Sequence, residues 1–295
     1  MLLKSNRDPD YFYIDWWLLN HCNYNCSYCA DILKSGSINL PDINHCIDIV
    51  KTINQHAKRI KKKTYFQIVG GEITQWPFLI DLLREIKTYD GELTIKSNAS
   101  CSLIEWKNIL TYVDTINIEY HPEFTGESHF LLQISAAAKL DKKCHVFFNM
   151  SPEYWDKSQH FFNKIESLFP DLPLHKKILF DNPVINTEVK PYSEEQLMEL
   201  KTNDNSLIFY EDNKETYTDY NKLVLEGKNN FFNRKCNIGI EQIIIDAWGR
   251  IARGHCRNGG HIGRLGKGIK FSTEPTVCGR ESCNNGFDIQ ATKFS

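Results

Sequence analysis

The chain has 295 residues, 41% hydrophobic and 24% charged, which excludes wholesale disorder and suffices for one large domain or two small ones. A net charge of −2 excludes a uniformly basic nucleic-acid coat, and no apolar run approaches the roughly 18 residues that a membrane helix requires. Met1 to Asp10 is polar and lacks an apolar signal core, so a cytoplasmic protein with no membrane association is expected.

Strand-like and helix-like segments alternate from residue 11 to residue 182. Tyr11 to Leu19 is predicted as the first strand, rich in aromatic and aliphatic residues. A helix follows Pro41-Asp42, with Ile43, Cys46, Ile47, Val50, Ile53, Ala57 and Ile60 at helical spacing. Further strands are expected over Thr64 to Val69, Glu92 to Lys96, Thr115 to Tyr120, Cys144 to Asn149 and Lys177 to Asp181. The intervening helices are expected after Pro77 and over Leu103 to Val113, Ser128 to Leu140 and Tyr154 to Leu168. Six β/α units in series predict an α/β fold with a parallel sheet, open or curled into a partial barrel.

The rhythm then breaks. Asn182 to Phe232 is acidic and tyrosine-rich, with one expected helix over Ser193 to Lys201. Its Tyr210, Tyr217 and Tyr220 either line a lid or pack the insertion. Ile240 to Ile245 and Arg250 to Cys256 are expected to form a hairpin turning at Trp248-Gly249. The expected division is a barrel over 1–203, a connector over 204–235 and a small cysteine-bearing domain over 236–295.

Ten cysteines are unusual in a reducing compartment, where structural disulfides are rare. Cys46, Cys101 and Cys144 are isolated and read as small buried hydrophobes. The other seven form two groups. Cys22, Cys26 and Cys29, just after a strand, can hold three corners of a [4Fe–4S] cube and leave one iron free for a ligand. Zinc on these three with His21, or a cluster completed by a fourth cysteine, are the competing readings. Cys236, Cys256, Cys278 and Cys283 are too widely spaced for a zinc finger, and suit either a four-thiolate zinc knot or an iron–sulfur cluster.

Three charged stretches have two readings each. Ala247 to Thr273 holds Arg250, Arg253, Arg257, Arg264, Lys267 and Lys270 without an acidic residue. It either balances cluster sulfur and decorates the surface, or binds an anionic substrate. The Lys58 to Lys63 run ends a helix, where cations favour the dipole, and reads as a solvated helix end rather than a binding patch. Glu119 and His121 end the fourth strand and either meet substrate and move a proton or form a polar rim.

The triplet, with Tyr28 before its last cysteine, resembles the CxxxCxxC signature of the radical S-adenosylmethionine (radical SAM) superfamily. Val69-Gly70-Gly71-Glu72 resembles that family's GGE motif, and Ser97-Asn98 ends the third strand where members commonly contact the cofactor. The ordered set covers Tyr11 to about Asn182. The resemblance implies a partial (β/α)6 barrel and a [4Fe–4S] cluster on Cys22, Cys26 and Cys29, with S-adenosylmethionine (SAM) on its free iron. It further implies cofactor contacts from Tyr28, Gly70, Gly71, Glu72, Ser97, Asn98 and Asn149.

The tail resembles a twitch domain, the abbreviated SPASM extension, with a β-hairpin and an auxiliary [4Fe–4S] cluster on Cys236, Cys256, Cys278 and Cys283. Its C-x4-C pair is wider than the closer spacing that also occurs. The activity implied is reductive SAM cleavage to a 5′-deoxyadenosyl radical and abstraction of a substrate hydrogen, for oxidation or rearrangement of a peptide, sugar or other natural-product precursor. The substrate would be a small molecule or peptide, anionic if the basic stretch binds it, and the electron donor a flavodoxin or ferredoxin. The alternatives are modification of a nucleotide or nucleic acid, and a metal-stabilised binding or electron-transfer module without SAM chemistry.

Overall fold

The computed structural model describes residues 2–181, 188–201, 207–211 and 214–295, so parts of the acidic stretch (182–187, 202–206, 212 and 213) lie outside the described residues. A short β1 (Leu2–Ser5) precedes β2 (Tyr11–Trp17), α1 (Ile43–Arg59), β3 (Lys63–Val69), α2 (Leu79–Ile86) and β4 (Gly91–Ser97). The alternation continues through α3 (Leu103–Leu110), β5 (Thr115–Tyr120), α4 (Glu127–Lys139), β6 (Lys143–Asn149), α5 (Trp155–Leu168) and β7 (Leu174–Lys177). Then come α6 (Glu194–Leu200), β8 (Leu207–Glu211), β9 (Lys214–Thr218) and α7 (Tyr220–Leu225). The tail comprises β10 (Lys235–Cys236), β11 (Gln242–Ile245), β12 (Arg250–Ala252), β13 (His261–Arg264), β14 (Gly268–Ile269), β15 (Thr276–Val277), α8 (Gly286–Ile289) and β16 (Lys293–Phe294).

β2 to β7 form the expected parallel run in sequence order. Each strand puts alternate residues on opposite faces. Phe12, Ile14 and Trp16 of β2, with Phe66, Ile68, Leu93, Ile95, Ile116, Ile118, Val146 and Phe148, pack against the helices in one continuous core. The other face is polar. Asp15, Gln67, Thr94, Lys96, Glu119 and Asn149 point to the inside of the curved sheet, where Gln67 bonds Asp15, Thr94 bonds Tyr65, and Lys96 and Asn149 bond Glu119 across strands. The curved sheet, a partial barrel, thus has a hydrophobic outer layer and a charged inner one.

Helix starts follow local chemistry. The Asp42 carboxylate accepts from the backbone N–H groups of Asn44 and His45 to open α1, and Ser102 with Glu105 closes a capping box at α3.

Three features depart from expectation. The sixth barrel strand is Leu174–Lys177, earlier than Lys177 to Asp181, because His175 and Lys177 occupy the inward polar face of a segment that is hydrophilic in composition. The hairpin forms, but its β11 also pairs in parallel with β2, so the tail's meander β11–β14 prolongs the barrel sheet. Finally β1, β8 and β9, for which no strand was expected, join β10, β15 and β16 in a six-stranded antiparallel sheet. Arg7, between the rings of Tyr13 and Phe287 at 4.5 and 4.3 Å from their centroids, packs between β2 and α8.

Candidate active site at the mouth of the barrel

The cysteine triplet lies on the loop leaving β2. The loop is held by main-chain pairing: Leu18 N donates to Val69 O, Gly71 N to Leu19 O and Glu72 N to His21 O, at 2.7, 2.8 and 2.7 Å. The two glycines are required by this approach. A Cβ on Gly71 would lie 2.0 Å from the His21 carbonyl oxygen, and one on Gly70 2.7 Å from that of Leu19. Gly70-Gly71-Glu72 therefore anchors the start of the cysteine loop to the end of β3.

Glu72 is fully buried, and burial pushes its carboxyl pKa up while hydrogen bonds from Ser97, Asn98 and Thr74 oppose that rise. It accepts from Ser97 Oγ at 2.7 Å, Asn98 N at 2.8 Å and Thr74 N at 3.1 Å, joining the ends of β3 and β4. Asn98 Nδ2 donates to Asn23 Oδ1, and Asn23 Nδ2 to Ser100 Oγ. Glu72, Ser97 and Asn98 thus converge on the triplet loop, with Asn23, inside the motif, as the link.

Cys26 is buried, while Cys22 and Cys29 are half-buried. His121 Nδ1 lies 3.4 Å from Cys26 Sγ and 2.9 Å from Tyr28 Oη, bringing the end of β5 to the triplet. Burial, with help from Lys177 and Lys96 and against the pull of Glu119, takes the His121 imidazole down to about 4. It is neutral near pH 7. Glu123 accepts from Ser27 N and Ser27 Oγ, and Lys34 donates to Cys26 O, so both flanks of the loop are tied down. Asn20, 1% exposed, braces the chain beyond the triplet by donating to Ile32 O, Ser35 Oγ and Ser37 Oγ.

Glu119 lies deeper. Its carboxylate pairs with Lys96 at 3.0 Å and Lys177 at 3.3 Å and accepts from Asn149 Nδ2 at 2.9 Å. Burial disfavours its charge, but Lys177 and Lys96 more than offset this and hold the carboxyl well below the usual range. Two cations on one anion leave this part of the interior with a positive excess. Asp15 forms a second interior centre, accepting from Gln67 Nε2 and Trp17 Nε1 and lying 2.6 Å from His255 Nε2.

The cysteines Cys236, Cys256, Cys278 and Cys283, distant in sequence, line one cavity together with Asp288 and Lys293. Asp288 accepts from the backbone N–H groups of His255 and Cys256, at 3.0 and 2.8 Å, which fixes the Cys256 turn. Three residues of the basic stretch are engaged internally, whereas Arg264, Lys267 and Lys270 are exposed. Arg250 and Arg257 share Asp246 Oδ2, each at 2.8 Å, and Arg253 donates to Thr276. Their balancing acid stands one residue before the stretch. Cys46 and Cys144 are buried as expected, whereas Cys101 is half-buried in the turn before α3.

The donor chemistry suits iron–sulfur centres. Burial pushes the thiols of Cys22, Cys26 and Cys283 up, as it does those of Cys46 and Cys144, and a bound cation would favour the thiolates. Among the described residues no three His, Cys, Asp or Glu side chains converge on a single-ion site.

Sequence reasoning did not single out Asn20, Asn23, Lys96, Lys177, Asp15 or His255. The one local signal was alternation, which puts Lys96 on the polar face of Thr94-Ile95-Lys96-Ser97.

No protein-family model and no curated protein matches the chain. Solved structures do. Hexahistidine-tagged anSMEcpe with bound AdoMet superposes with a TM-score of 0.61 at 14% identity, over 86% of this chain and 78% of that one. Native anSMEcpe with bound AdoMet and Kp18Cys peptide gives 0.57 at 13% identity, over 86% and 77%. Streptococcus suis SuiB bound to precursor peptide SuiA, at 0.43 and 10% identity over 88% and 62%, is too distant to add to the argument. The chain therefore has the α/β partial-barrel fold of anSMEcpe, the fold that the radical SAM resemblance implied. Among the described residues no helix is long and apolar enough to cross a membrane.

Proposed function

We propose that the protein is a radical SAM enzyme acting on a peptide side chain. One observation carries the reading: the Cys22–Cys26–Cys29 loop is hydrogen-bonded to Gly70–Glu72 and, through Asn23, to Asn98 and Ser100, at the C-terminal ends of adjacent barrel strands. That is the end on which β/α barrels build active sites. The cluster on this triplet, with SAM bound, would supply a 5′-deoxyadenosyl radical that abstracts a substrate hydrogen.

The chain's own residues have distinct tasks in this reading. Gly70, Gly71 and Glu72 hold the loop, and Tyr28 with His121 buries one side of Cys26 and excludes water from it. Ser97, Asn98 and Asn149 present polar groups around the cofactor space. Lys96 and Lys177, with Glu119, orient a polar or anionic part of the substrate. A peptide substrate is supported by the fold shared with anSMEcpe, a structure of which has bound AdoMet and Kp18Cys peptide. Oxidation is the favoured outcome, with Cys236, Cys256, Cys278 and Cys283 carrying an auxiliary [4Fe–4S] centre that accepts the released electron. Its support is His255, the neighbour of Cys256, whose ring reaches Asp15 inside the barrel. A flavodoxin or ferredoxin would supply the initial electron.

The test is anaerobic incubation of reconstituted, reduced protein with SAM. The protein should yield 5′-deoxyadenosine and a Cys22/Cys26/Cys29→Ala variant none. Equal yields from the two would sink the assignment, and none from either would favour a binding or electron-transfer module.

A further inference from the structure

We propose that Lys293 is the electrostatic partner of the four-cysteine centre and raises its reduction potential. This rests on the reading of Cys236, Cys256, Cys278 and Cys283 as ligands of an auxiliary [4Fe–4S] cluster. Lys293 is 1% exposed and lines the same cavity as the four thiols. An ammonium has three N–H donors. All three are committed, to the carbonyl oxygens of Asp288, Ile289 and Ala291 at 2.6, 2.9 and 2.9 Å. No donor is left for a sulfur, so Lys293 acts on the cavity through its charge.

Carbonyl oxygens and the Phe231 ring, whose centroid lies 5.0 Å from Nζ, solvate the ammonium but bring no net negative charge. A buried ammonium costs several kcal/mol unless negative charge balances it. Asp288 lines the same cavity, its carboxylate held by His255 N, Cys256 N and Gln242 Nε2, and its charge offsets part of that of Lys293. Four thiolates around a cubane core would add further negative charge beside Lys293. Such a centre is formally doubly negative when oxidised and triply negative after taking up one electron. A fixed positive charge stabilises the more negative state, so Lys293 makes the centre a better acceptor for the one electron given up by the substrate radical. Arg280, donating to Cys256 O from an exposed position, is screened by solvent and contributes less.

The full-length Cys22/Cys26/Cys29→Ala variant leaves the auxiliary centre as the sole cluster to observe. Its iron content and electron paramagnetic resonance are recorded first, followed by redox titration with Lys293→Met, Lys293→Gln or Lys293→Arg added. The neutral variants should weaken one-electron reduction about tenfold or more, a shift of about 59 mV to lower potential, and Lys293→Arg should stay near the parent. Gln retains donors for the carbonyls and covers the case in which Met does not fold. An intact centre with unchanged potential in Lys293→Gln would overturn the role of Lys293 alone. No iron in the background variant would overturn the ligand assignment, and this proposal with it.

Discussion

His255 Nε2 and Asp15 Oδ2 lie 2.6 Å apart, so the residue immediately before Cys256 reaches back into the barrel at its first parallel strand. Asp288 holds the backbone of the same two tail residues from the other side. The Cys256 turn is thus clamped between α8 and β2, beside the point where β11 joins β2.

Removing that ring should loosen the clamp. In His255→Ala, Asp15 keeps its bonds from Gln67 and Trp17 but loses its closest partner. The expected loss is about 1–3 kcal/mol of unfolding free energy, read from urea denaturation. Unchanged stability would show that the contact carries no weight.

The glycine pairing makes a sharper contrast. Gly71→Ala places a methyl group 2.0 Å from a backbone oxygen that cannot yield without moving the cysteine loop. About 1–3 kcal/mol of destabilisation and reduced iron uptake at the triplet are expected. Gly126→Ala, with nothing within 4 Å of the added carbon, should leave iron uptake unchanged and lose only the better N-cap that glycine gives α4.

Glu119 provides a pH test. Its folded-state pKa is depressed, so the stability it contributes is present above the ordinary glutamate value of about 4.3 and is lost as pH falls toward the folded value. Glu119→Gln should therefore cost about 1–3 kcal/mol at pH 7, discounted because both lysine partners are partly solvated. The gap between the two proteins in urea midpoint should narrow below about pH 4.3. A constant gap from pH 7 to pH 3.5 would exclude the ion-pair explanation.

Metal content separates the two cysteine groups. Two cubanes require about eight irons per chain, and Cys278→Ala should lower this toward about four. That variant, shown to be folded, should still form 5′-deoxyadenosine while losing oxidised product. Normal product formation in a folded variant lacking the second centre would rule out the electron-acceptor role.

The order of barrel elements was legible because hydrophobic periodicity is local. Phe12, Ile14 and Trp16 mark a strand, and Cys46, Val50, Ile53 and Ala57 mark a helix face, whatever they later pack against. The cysteine triplet and Gly70–Glu72 were legible for a similar reason, as each is a short contiguous run. Partnership across the fold was not. Nothing local indicates that Lys96 and Lys177 meet Glu119, that Asn23 reaches Asn98, or that β11 lies beside β2. Nor does local sequence mark β1, β8 and β9, whose pairing depends on the distant β16 and on one another. Residue order alone sufficed for the parallel α/β run and for the residue types able to bind iron. Which side chains share an interior, and that four scattered cysteines line one cavity with a buried lysine, emerged only from the folded chain. The physical reason is that secondary-structure preference acts over a few residues, whereas ion pairs, hydrogen bonds and strand register form only after chain closure has brought remote segments together.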